Sequence, residues 1–269
     1  MTTFTPVADA SSFRRMAAAM WRAPSDPSIY GSMDIDATAA LAFLDEQRGR
    51  TPTKLTVTHL VARAVALALR DQPALNGKVR FWGKLEQRTT IDVFVTVATE
   101  GQRDLSGARI DRADEKSLAA LAAEIGERAG RIRTGNDGQY QKSRGAFRAL
   151  PWWLARSATK LSDLLVNELH LDLSAHGMPS DPFGSAIVTS VGMFGIDTAF
   201  APFVPLARCP MLILVPEIRP RPWADGDRVV VRPVLRLCAT FDHRIIDGAA
   251  AGRFAHRLGQ LFAAPDALA

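Results

Sequence analysis

The chain has 269 residues, 47% of them hydrophobic and 23% charged. That balance belongs to an ordinary folded protein and excludes a disordered tail or a collagen-like fibre. With only Cys209 and Cys238 available, it also excludes a disulfide scaffold. The net charge of +5 comes from 27 arginines and six lysines against 28 acidic residues, but the arginines are scattered rather than striped along one element. No nucleic-acid partner is expected, whereas an anionic small substrate is compatible.

Ser11 or Ser12 is placed to cap a helix over FRRMAAAMWR, ended by the turn APSDP. Residues 29–35 read as a strand, and Asp36 can cap a helix carrying Leu41, Phe43 and Leu44. Residues 57–69 form a strongly apolar helix, with Leu60, Val61, Ala64, Leu67 and Ala68 on one face and Pro73 and Asn76-Gly77 as the stop. Strands are predicted over 79–85, 91–97 and 105–110, then a long amphipathic helix over 114–133 with Leu118, Leu121, Ile125 and Ala129 at helical spacing. Strands return at 185–191, 211–217 and 229–240, and a helix from after Gly248 to about Phe262 closes the chain. Strands and helices are mixed without strict alternation, which argues for an α+β fold with a mixed sheet.

The most apolar windows, 39–44, 61–69 and 211–215, are far shorter than the roughly 20 residues that cross a bilayer. The N-terminus has no basic start followed by an apolar run, so no secretory signal is expected, and two free thiols fit a reducing cytoplasm. Both cysteines sit in apolar strand contexts and are expected to be inert core thiols. His59, His170, His176 and His256 make no metal spacing with them, and no metal is expected.

The segment 141–183 differs in kind from its surroundings. It holds Trp152-Trp153 and the mixed basic and apolar run LARSATKLSDLLVNELHLDL. A lid over a site, an amphipathic surface for a membrane or a partner, and extra helices packed on the core are its three readings. The last is the expectation, and membrane association is not expected.

One motif points to chemistry. A β-branched strand, VVVRPVLRLCAT, runs into Phe241-Asp242-His243-Arg244-Ile245-Ile246-Asp247-Gly248, and small residues then start a helix. A histidine at such a corner sits at the rim of a sheet, where function concentrates. A neutral imidazole there can take a proton from a thiol. On the residues alone, His243 can equally be a hydrogen-bonded structural histidine and Asp247 a helix N-cap.

The pattern Asp-His-Arg-x-x-Asp-Gly resembles the signature of the catalytic domain of dihydrolipoamide acyltransferases, the acyltransferase components of 2-oxo acid dehydrogenase complexes, whose fold chloramphenicol acetyltransferase shares. VTSVGMFG (188–195) is similar to that family's Gly-Met-Phe-Gly segment, and PFVPLARCPMLILV to its next turn and strand. Upstream, LTVTHLVARAVALAL and IDVFVTVAT resemble its helix and central strand, so the resemblance covers residues 12–140 and 184–263.

The resemblance implies a single acyltransferase domain over 1–269, a two-layer chloramphenicol acetyltransferase-like α+β fold with an insertion at about 141–183. It implies His243 as general base toward the thiol of coenzyme A or dihydrolipoamide. Thr189, where the family has serine, would supply the oxyanion hydroxyl, with Ser190 as the alternative. Asp247 would orient the site through an ion pair with Arg14 or Arg15. It also implies a homotrimer, or a higher assembly of trimers, in which the histidine of one chain meets the hydroxyl of the next. Coenzyme A would enter as substrate, and a lipoyl group only if another chain supplies it. The partners would be acyl-coenzyme A or an acyl-lipoyl protein. Two other functions remain open: a non-catalytic trimeric assembly core, and an O- or N-acyltransferase using acyl-coenzyme A.

Overall fold

The computed structural model describes residues 11–20, 26–98, 105–134, 151–171, 173, 181–204 and 207–269. Among them the helices are α1 (Ser12–Met20), α2 (Thr38–Arg50), α3 (Val57–Arg70), α4 (Leu118–Arg133), α5 (Trp152–Asp163) and α6 (Gly248–Ala263). The strands are β1 (Ser28–Asp36), β2 (Gly77–Val79), β3 (Leu85–Gln87), β4 (Val93–Ala98), β5 (Leu105–Ile110), β6 (Ala186–Ser190), β7 (Met211–Val215), β8 (Arg219–Asp225) and β9 (Arg228–Asp242).

Six strands run in the order β1-β9-β7-β6-β4-β5, and β8 joins the sheet by pairing with β9. β6 is parallel to β4 and β7, and every other pair is antiparallel. This is the mixed α+β sheet that the sequence predicts. Strand alternation divides its faces. Val93, Val95, Val188, Ile213 and Leu237 pack with Leu60, Val61, Leu121 and Phe254 of α3, α4 and α6 in the main core. Ile187, Leu212, Leu214 and Cys238 form a smaller cluster on the other face, with Phe94, Phe183 and Phe203 packed against it.

α3 is buried along nearly its whole length, from Leu60 to Leu69. It therefore forms the centre of the helical layer. The cap of α1 is Ser11, whose Oγ accepts the Arg14 N–H at 3.3 Å. Asp36 is the last residue of β1, and its carboxylate accepts the Thr38 N–H at 2.9 Å at the start of α2.

Two strand expectations change. The strand predicted over 79–85 is a hairpin of β2 and β3. Phe81-Trp82-Gly83 turns the chain back, with Trp82 and Gly83 at φ of 65° and 76°, and the Arg80 N–H closes the hairpin on the Lys84 carbonyl at 2.8 Å. β8 was not predicted because its sequence, RPRPWAD, carries two prolines. Among the described residues it pairs only with β9, an edge position where proline is tolerated.

Candidate active site

The sheet brings several strand ends to one rim. β9 ends there at Asp242, opposite Ser28 at the start of β1, and Met211 at the start of β7 pairs with Phe241. The chain then turns through His243 to Asp247 and enters α6. The Asp242 carbonyl accepts the N–H groups of Ile245 and Ile246 at 3.0 and 2.9 Å, and the His243 N–H is held by the Pro27 carbonyl at 2.9 Å. Ile246 is fully buried beneath this corner.

The His243 ring is exposed, and its Nδ1 lies 3.2 Å from the Ile246 carbonyl oxygen. A carbonyl can only accept, so in the neutral ring Nδ1 carries the proton and Nε2 keeps its lone pair. The corner thus fixes both the tautomer and the direction of the ring, the arrangement a general base needs.

Arg244, whose role was not derivable from sequence, folds back on the first aspartate of the motif. Its Nε and Nη2 donate to Asp242 Oδ1 at 2.9 Å and Oδ2 at 2.6 Å. Hydrogen bonding to Asp242 raises the Arg244 pKa above its ordinary value. Asp242 is 7% exposed. The sequence reading gave Asp242 no part; its position two residues before an arginine in the same motif was the available signal.

Asp247 is exposed and N-caps α6, accepting the Ala250 N–H at 2.8 Å. Among the described residues no ion pair joins it to Arg14, which lies exposed on α1.

Thr189 stands near the end of β6, half-buried, and its hydroxyl accepts a hydrogen bond from the Thr96 hydroxyl at 2.8 Å. Thr96, on β4, was missed by the sequence reading, because only the pairing of two parallel strands shows the contact. Ser190 points to the opposite face, the side of Val188 and the helices. It is therefore not on Thr189's side of the sheet.

Thr189 and His243 lie at opposite ends of the sheet. Thr189 pairs with Leu214, which pairs with Cys238, and His243 is five residues beyond Cys238. At about 3.3 Å per residue and 4.8 Å per strand, the two are roughly 20 Å apart within one chain. The two cysteines lie elsewhere, in the smaller cluster, both buried and free. Burial pushes the Cys209 thiol up to about 12 and raises that of Cys238.

Comparison with known proteins places this geometry in a lineage. The chain is 28% identical over 232 residues to the dihydrolipoyllysine-residue acetyltransferase component of the pyruvate dehydrogenase complex of Zymomonas mobilis, covering 85% of this chain and 42% of that one. It is 26% identical over 247 residues to the lipoamide acyltransferase component of the branched-chain alpha-keto acid dehydrogenase complex of Bacillus subtilis, covering 89% and 47%. The chain thus spans less than half the length of these relatives.

Among solved structures, the cubic core of a pyruvate dehydrogenase multienzyme complex superimposes with a TM-score of 0.68 at 24% identity, over 98% of this chain and 99% of that one. A probable dihydrolipoamide acetyltransferase from Listeria monocytogenes gives 0.66 at 22% identity, over 98% and 96%. These two likenesses establish a shared fold. The family profile described as 2-oxoacid dehydrogenases acyltransferase (catalytic domain) matches residues 7–147 and 177–269, leaving 148–176 unmatched. With most of its length matched, this chain belongs to the acyltransferase catalytic-domain family of the 2-oxoacid dehydrogenases.

Proposed function

We propose that this chain moves an acyl group between a thioester and a thiol, of the coenzyme A and dihydrolipoamide type, at a site shared by two copies of itself. One observation carries the reading: the exposed imidazole of His243, held by the Ile246 carbonyl so that Nε2 faces outward as a base, in a chain of an acyltransferase family.

In the proposed reaction Nε2 takes the proton of the acceptor thiol. The sulfur attacks the thioester carbonyl carbon, and the carbonyl π electrons move onto oxygen. Thr189 of the neighbouring copy donates to that oxyanion. Its hydroxyl oxygen already accepts from Thr96, so its own proton is free to point at the substrate. When the intermediate collapses, the carbon–sulfur bond to the leaving thiol breaks, and the imidazolium returns the proton to that sulfur.

The separation of Thr189 and His243 along the sheet supports a closed ring of copies, and we take the assembly to be a trimer or a higher assembly of trimers. The lipoyl group would reach the site from another domain or chain. The test is exchange of acetyl groups between acetyl-coenzyme A and dihydrolipoamide by the purified protein. His243→Ala should lower the rate by about 10²- to 10⁴-fold while the assembly persists. Undiminished exchange in that variant would overturn the assignment of the base.

A further inference from the structure

The residues that the family profile leaves unmatched, 148–176, carry α5 and the π-helical turn Leu164–Glu168. This segment is not loosely attached. Glu168 accepts from three donors: Arg80 Nε at 3.1 Å, the Phe81 N–H at 2.8 Å, and Arg208 Nη1. Arg208 also pairs with Asp163, the last residue of α5, at 2.7 Å. The side chains of Asp163, Glu168 and Arg208 are each only 10% exposed. Burial alone would raise the Glu168 pKa, but the Phe81 amide, Arg208 and Arg80 outweigh it and bring the carboxyl to about 2.

Every one of these bonds reaches the β2–β3 hairpin directly or through one arginine. Arg208 Nη1 donates to the Val79 carbonyl at 3.3 Å. The buried Arg88 donates to the Gly77 carbonyl at 2.6 Å and to the Arg208 carbonyl at 3.1 Å, and its other contacts are a fork onto Asp181 at 2.6 and 2.7 Å. The backbone of residues 77–81 is therefore gripped at Gly77, Val79 and Phe81.

The hairpin in turn seats the corner that carries the base. Gly77 packs under Ile245: a methyl group on it would stand 3.4 Å from Ile245 Cγ2 and 3.6 Å from Ile245 Cδ1, in ordinary van der Waals contact. Ile245 stands two residues after His243 and directly before Ile246, whose carbonyl orders the imidazole. A contiguous set of contacts thus runs from the unmatched segment to the ring, through buried ion pairs that hold a fixed geometry.

We propose that Glu168 is a positioning residue for His243: by clamping the β2–β3 hairpin it fixes the seat of Ile245, and with it the Ile246 carbonyl that holds the imidazole. This rests on the reading of His243 as the base, but its test does not depend on turnover.

The measurement is the ring nitrogen spectrum of His243 in the full chain, by long-range proton–nitrogen NMR. The wild-type protein should show separate Nδ1–H and bare Nε2 signals. In Glu168→Gln, which keeps the shape and loses the charge, the two signals should move toward the average of mixed tautomers. The value of kcat should fall about tenfold with KM changed less than about twofold, as expected for a misplaced group. Ile245→Ala tests the last link without touching an ion pair, by removing the side chain seated on the hairpin, and should move the same signals; it also serves if Glu168→Gln does not fold. Unaltered His243 signals in a folded Glu168→Gln or Ile245→Ala protein would overturn the proposal, whatever the rate does. Loss of the acyl-transfer reading would show instead as full activity in His243→Ala, with the ring spectrum of the Glu168 variant still decisive.

Discussion

The Thr96 hydroxyl donates a 2.8 Å hydrogen bond to the Thr189 hydroxyl, from one strand of a parallel pair to the next. The bond sets which way the Thr189 proton can point. Threonine is stiff at χ1, so a neighbour that selects one rotamer matters more for it than for a serine. Thr96→Val should lower kcat about tenfold, whereas Thr96→Ser restores most of it; Thr189→Val should cost about 10²-fold, the range for one oxyanion donor. Steady-state kinetics of the three variants check this. A Thr96→Val enzyme with wild-type kcat would count against the relay.

The roughly 20 Å between Thr189 and His243 in one chain makes a mixing experiment decisive. His243→Ala and Thr189→Val should each be nearly inactive alone. Co-expressed, they should recover about one quarter of wild-type activity, since a random mixture juxtaposes an intact histidine with an intact threonine at about one interface in four. No recovery in mixed assemblies would mean that the two residues do not share a site.

Asp247 and Arg14 separate capping from ion pairing. Asp247→Ala should destabilise the protein by about 1 kcal/mol, and Asp247→Asn by much less, because asparagine also caps. Arg14→Ala should change stability by less than about 0.5 kcal/mol. Urea unfolding of the three variants distinguishes the roles; a large loss in Arg14→Ala would restore the ion pair.

His59 gives a pH signature. It sits in the first turn of α3, where its Nδ1 accepts the Thr56 N–H at 3.3 Å and Thr56 Oγ1 accepts the His59 N–H at 3.4 Å. Burial pushes its pKa down from 6.5 to about 4. The folded protein therefore holds His59 neutral while the unfolded chain protonates it near 6.5. Its contribution is complete above that pH and is lost as pH falls toward about 4, up to an order of 3 kcal/mol. His59→Gln, which keeps an acceptor but does not titrate, should show a flatter Tm profile across that window. An equally steep profile would assign the acid sensitivity to other groups.

Both thiols should be silent in the folded state. Cys209, pushed up to about 12, and the buried Cys238 should resist a thiolate reagent at pH 8, and both should react after denaturation. A native-state reaction by colour assay would contradict their burial.

Local pattern made much of this fold legible. Helical spacing located α3 and α4, and alternation and β-branching located β4, β6, β7 and β9 to within a few residues. The corner at His243 was legible because a β-branched strand, a glycine and small helix-forming residues follow one another without a gap. Contacts between distant segments were not legible. Thr96 meets Thr189 only through a strand pairing 93 residues apart in sequence, and Glu168 meets Arg80 across 88. The hairpin at Phe81-Trp82-Gly83 was hidden because Trp82 adopts a left-handed backbone that its type seldom takes. Three of the scattered arginines, Arg80, Arg88 and Arg208, stand in partly or largely buried pairs, where a planar fork can serve several acceptors at once.

The opposed placement of base and hydroxyl on the sheet also bears on the chain before it meets its neighbours. Under the proposed mechanism, a freshly made single copy holds a proton acceptor with no anion-stabilising group beside it, and a hydroxyl with no base. On that mechanism it would stay chemically idle until a second copy brought the missing group alongside.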